Sequence, residues 1–112
     1  MCEFKVFGRD GGKRLTDEIV RSSLEDGRLV LYNILGSREV LEDSIVGDLN
    51  VSLERIDLLQ LPGLGKLMKF LETYSKELES REYDDGLEGA WEELKGIWDE
   101  RLRELRKLSG EK

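Results

Sequence analysis

Apolar residues recur every second position at the start of the chain and every third or fourth position toward its end. In the opening segment Cys2, Phe4 and Val6 alternate with Glu3, Lys5 and Phe7, the two-residue period of a half-buried strand. Asp10–Gly11–Gly12 reads as a turn, because glycine reaches positive φ without a steric penalty. Ile19 to Leu24 forms the next predicted strand. Asp26–Gly27 and the run Arg28 to Leu35 follow, the pattern of a tight hairpin. Gly36–Ser37 ends that run, and Arg38–Leu41, Ser44–Val46, Leu49–Val51 and Leu53–Leu59 supply further short segments. Nothing among them is long enough to be a crossover helix. The spacing therefore predicts a compact antiparallel β-barrel rather than a parallel sheet.

The period changes near Leu61–Pro62–Gly63. Leu64, Leu67, Met68, Leu71, Tyr74 and Leu78 lie on one face of a helix ending around Arg81, and Asp84–Asp85–Gly86 is a polar connector. A second stripe runs through Leu87, Trp91, Leu94, Trp98, Leu102, Leu105 and Leu108. Gly89 and Gly96 interrupt it at about 1 kcal/mol each relative to alanine, a cost consistent with admitting a neighbouring helix or ring. Arg101, Arg103, Arg106 and Lys107 complement the dipole at its C-terminal end. The predicted class is α+β: a barrel over residues 1–60, then a helical hairpin over 61–112 packed on the barrel or on a dimer partner. A two-helix hairpin is too small to stand alone, so its stripes must be covered by something. Trp91, Trp98, Leu94 and Leu102 are the candidate partner or dimer surface, with the chain's own core as the plainer reading of the same residues.

Composition narrows the chemistry. Without histidine, Ser/His/Asp and Cys/His nucleophile arrangements, His-ligated zinc and His-ligated haem are excluded. A single cysteine leaves no internal disulfide and points to a reducing, cytoplasmic setting. No apolar run approaches the ~18 residues of a membrane span, and charged residues break up the N-terminus before a signal sequence could form. Eighteen basic residues face 25 acidic ones, a net charge of −7. Nucleic-acid binding through a broad basic face is thus not expected. No nucleophile–base pair or phosphate loop is recognisable, so the chain is expected not to be an enzyme. Gly11–Gly12–Lys13–Arg14 lacks the spacing of a phosphate-binding loop. Glu42, Asp43 and Asp48, and likewise Asp84 and Asp85, read as solvated turn residues rather than acid/base pairs.

Cys2 carries the most specific chemistry. Its thiolate, its backbone nitrogen and the Met1 α-amine can close two fused five-membered chelate rings around one ion, an arrangement that suits nickel(II) or copper(II). Binding displaces protons from these donors, so affinity would rise with pH. The alternative is a small buried hydrophobe in step with Phe4 and Val6.

The opening Met1–Cys2–Glu3–Phe4–Lys5–Val6–Phe7 resembles the start of CooT-type proteins. The resemblance continues through Arg28–Leu35, Ile34–Leu35–Gly36, Ser44–Ile45–Val46 and Glu54–Arg55–Ile56–Asp57–Leu58. That family comprises short cytoplasmic chains tied to nickel insertion into carbon monoxide dehydrogenase, and its archaeal relatives often carry the label of predicted RNA-binding proteins. The resemblance covers residues 1–60. It implies an SH3-like or OB-like barrel, a homodimer, a client metalloenzyme and a nickel site using Cys2, two copies of which could meet at one ion across a twofold axis. The helical extension departs from the family's usual length. For the RNA-binding label, the first 60 residues offer eight basic against twelve acidic side chains, with only Phe7, beside Arg9, Lys13 and Arg14, as a local patch. The leading expectation is a non-enzymatic metal-binding accessory protein. A protein-interaction scaffold built on the helices and an RNA-binding barrel are the alternatives.

Overall fold

A computed structural model of the chain describes residues 3–8 and 14–110. In chain order the elements are β1 (Phe4–Phe7), β2 (Arg14–Glu25), β3 (Arg28–Asn33), β4 (Arg38–Leu41), β5 (Ser44–Asn50), β6 (Arg55–Gln60), α1 (Leu64–Ser80) and α2 (Gly86–Gly110). The chain divides into two compact units, Met1–Lys69 and Phe70–Lys112. The α+β class holds. No helix among the described residues is long and apolar enough to cross a membrane.

The six strands form one sheet in the order β4-β3-β2-β1-β6-β5. This corrects the expected closed antiparallel barrel in two respects. Among the described residues no ladder joins β4 to β5, so the sheet is open, and β1 pairs with β6 in parallel, Val6 opposite Ile56. Parallel neighbours need a long connection. Here strands β2 to β5 themselves are that connection, which is why no crossover helix was visible in the sequence.

The sheet coils at bulges. Between Phe4↔Ile19 and Val6↔Thr16, β2 spends one residue more than β1, and Glu18 takes a positive φ of 60° there. On its other side β2 again carries an extra residue, Val20, between Ile19↔Asn33 and Arg21↔Tyr32. β5 does the same at Gly47. The inward positions Val6, Ile19, Leu29, Leu31, Ile56 and Leu58 form the core, with Phe4, Leu41 and Val46 packed against it. The buried Ser44 hydroxyl donates to the Glu42 carbonyl at 2.8 Å and accepts from Gln60 Nε2 at 3.0 Å, so its polarity is satisfied.

The predicted hairpin is present, with Glu25 paired to Arg28. Its two central residues, Asp26 and Gly27, have φ of 53° and 78°, the mirror-image turn that suits strand twist. The turn abuts the start of α1. A Cβ on Gly27 would lie 2.6 Å from the Gly65 carbonyl oxygen and 2.9 Å from Lys69 Cβ. α1 has no acidic residue in its own first turn. Asp43, in the β4–β5 turn, supplies the carboxylate instead, accepting from Gly65 N–H at 2.7 Å, while its carbonyl accepts from Leu61 N–H.

In the second unit, Arg81 ends α1 in the left-handed region at φ 59°, and Glu82 N–H reaches back to the Glu77 carbonyl. Asp84 Oδ1 accepts from Gly86 N–H at 3.0 Å as α2 begins. Gly89 and Gly96 were expected to make room for a helix or ring. Among the described residues a Cβ at either would meet nothing within 4 Å, so neither admits a close neighbour from within the chain.

Candidate functional site

Met1 and Cys2 lie outside the described residues, as do Asp10–Gly11–Gly12, Arg9 and Lys13. The strand that follows Cys2 is fixed on both sides, by β2 and by β6. Glu3 N–H donates to Glu54 Oε2 at 3.3 Å, and Lys5 N–H to the Glu54 carbonyl at 2.9 Å. Among the described residues no group of three or more His, Cys, Asp or Glu side chains converges as a metal site.

The carboxylates weighed from the sequence do not assemble into an acid/base pair. Asp43 serves α1, Asp84 serves α2, and Glu42 faces Arg28 at 3.7 Å across the sheet edge. Two other carboxylates have neighbours that hold the ionised form. The Arg55 guanidinium grips Asp57 through both Nε and Nη2 at 2.8–3.1 Å and holds its carboxyl below the ordinary value, while Asp57 raises Arg55 in return. Glu25 is lowered chiefly by the Tyr32 hydroxyl, which donates to it at 2.6 Å. Arg21 lies over the Tyr32 ring at 4.7 Å.

Of the patch considered for RNA, the Phe7 ring is engaged within the chain. Arg55 lies 3.8 Å from the Phe7 ring centroid, so the face a base would stack on already carries a guanidinium. Phe7 is a half-buried strand residue rather than an open platform.

The second unit carries an apolar concavity. Phe70, Leu71, Tyr74, Leu78, Leu87 and Trp91 line a groove of about 870 Å³ between α1 and the start of α2, with Tyr83 closing its loop end. Phe70 and Trp91 stack at 5.5 Å, tilted by 30°. The rim is charged: Glu77, Glu82 and Glu88 against Arg81. Of the four residues named as a partner surface, Leu94 is buried and Trp98 half-buried, with Arg101 over its ring at 4.8 Å. Trp98 Nε1 is out of solvent contact with no acceptor among the described residues. Trp91 and Leu102 are exposed, at 47% and 58%. Sequence reasoning missed Phe70 and Tyr83. Phe70 sits one position off the stripe, and Tyr83 belongs to the connector, so only their bulk and aromaticity could have marked them.

No protein-family model matches the chain, and no curated protein matches it. Four solved chains do. One is the crystal structure of a protein described as "putative CooT" from Carboxydothermus hydrogenoformans, 26% identical over 54% of this chain and 98% of that one, with a TM-score of 0.47.

Proposed function

We propose that the chain is a non-enzymatic, CooT-like accessory protein that carries a soft divalent metal ion, nickel(II) foremost, for a client metalloenzyme in the cytoplasm. The ion is cargo, held by the Cys2 thiolate and, where Met1 is the mature N-terminus, by the Met1 amine and the intervening amide nitrogen. The donor set is the reason for choosing nickel or copper over calcium or magnesium: one thiolate with nitrogen partners is soft and suits tetragonal coordination. The reading is carried by one observation. The sole cysteine of the chain immediately precedes the segment Glu3–Phe7, whose backbone is clamped by Glu54 and by ladders on both sides. A clamped neighbour limits the entropy lost when the thiolate binds an ion.

Nickel titration of purified protein tests this. A sulfur-to-metal charge-transfer band should appear, deepen as pH rises, and vanish in Cys2→Ser. Adding one residue ahead of Met1 should change the band by removing the amine from the chelate. Undiminished binding in Cys2→Ser would refute the assignment.

A further inference from the structure

The groove of the second unit has a counterpart in the same unit. α2 runs 25 residues against 17 in α1 and is about 12 Å longer. Its last turns expose Leu102, Leu105 and Leu108 at 58%, 60% and 71%, spaced three apart on one side of the helix. Around them stand Arg101, Arg103, Arg106 and Lys107, with Glu104 the only acid from Arg101 onward within α2. The groove has the opposite character, an apolar floor under a rim of three glutamates and one arginine. Lengths agree as well. The leucine row spans about 9 Å, and the α1 wall from Leu71 to Leu78 about 10 Å.

We propose that the C-terminal turns of α2 dock, leucine face down, into the groove of a second copy of this chain. The binding mode is an amphipathic helix seated in an apolar groove, its basic flanks meeting the partner's acidic rim. Because each copy carries both a tail and a groove, two reciprocal contacts close a twofold dimer and leave neither feature unfilled. The occupant is this chain rather than an unrelated basic helix because the complementary length, charge and spacing are all present in one unit. This interface is independent of Cys2 and of the metal reading.

Sedimentation velocity over a range of concentrations, with circular dichroism as the folding control, tests it. Wild type should be dimeric and should dissociate as salt is raised. Leu105→Glu should weaken the dimer by more than about tenfold. Arg106→Glu with Lys107→Glu, and separately Glu82→Lys with Glu88→Lys, should each be monomeric. An equimolar mixture of those two variants should recover a dimer, because the reversed tail then meets the reversed groove and the unaltered tail meets the unaltered groove. Should Leu105→Glu lose helical signal, Leu105→Ser takes its place. A monomeric wild type at high concentration overturns the proposal. So does a dimer that survives both charge reversals, or a mixture that stays monomeric. A protein that still takes up nickel through Cys2 in any of these cases leaves the metal reading standing.

Discussion

Replacing Gly27 with alanine separates two costs that usually arrive together. The first is backbone strain. At φ of 78° an L-residue sits in the left-handed region, at roughly 1–2 kcal/mol. The second is collision. The new methyl would stand 2.6 Å from the Gly65 carbonyl oxygen and 2.9 Å from Lys69 Cβ, both well inside van der Waals contact. Neither obstacle is the free end of a flexible side chain, so the hairpin or the first turns of α1 must shift, for about 1–3 kcal/mol more. Together these reach about 2–5 kcal/mol, a large part of the ~5–15 kcal/mol that holds a domain of this kind. Gly36 supplies the control. Its φ is 90°, yet a Cβ there meets nothing within 4 Å, so Gly36→Ala carries the strain alone. Urea unfolding of both variants, followed by circular dichroism, should show Gly27→Ala losing clearly more stability than Gly36→Ala. Equal losses would mean that the hairpin does not press on α1, and the close approach described here would be wrong.

Other substitutions follow from the same geometry. Gly89→Ala and Gly96→Ala, each in open space on α2, should stabilise by up to about 1 kcal/mol apiece, read as a higher melting temperature. Asp43→Ala should cost about 1 kcal/mol by leaving the α1 N-terminus uncapped, and more through its own φ of 51°; Asp43→Asn, which tolerates that φ and still accepts from Gly65, should cost less in the same urea assay. The Asp57 and Glu25 carboxyls are lowered in the folded chain, so their contribution is fully present above their ordinary values of 3.8 and 4.5 and is lost as pH falls through the depressed folded values. Acid titration of the unfolding midpoint should therefore show stability falling below about pH 4, and Arg55→Met should flatten the Asp57 part of that fall.

The sequence was most informative where structure is decided locally. The Asp26–Gly27 turn was readable because two residues that tolerate positive φ, set between apolar runs, leave few alternatives. The helical stripes were equally plain. What could not be read was which strands would be neighbours. A two-residue period says that Val6 and Ile56 each point into a core, but nothing in it says that they lie side by side and parallel. The bulges at Glu18, Val20 and Gly47 were also hidden, because an extra residue in one strand looks like any other until its partner is known. At the groove the limit was different in kind. Leu71, Tyr74 and Leu78 were legible as an apolar face, yet amphipathic spacing does not tell whether a face is covered, and here it is open.

The parallel β1–β6 ladder has a consequence for assembly. On one side lies a run of consecutive antiparallel pairings from β1 to β4, on the other the β5–β6 ribbon, and the seam between them joins the first strand to the last. A ribosome must release nearly sixty residues before that seam can be stitched, and until then the flank of Val6 lacks its partner strand. Such a long-range closure makes for slow folding compared with a meander paired only to its own neighbours. A stop in translation ahead of β6 would leave the β1–β4 run paired, but with one flank of β1 bare and β5 without its neighbour.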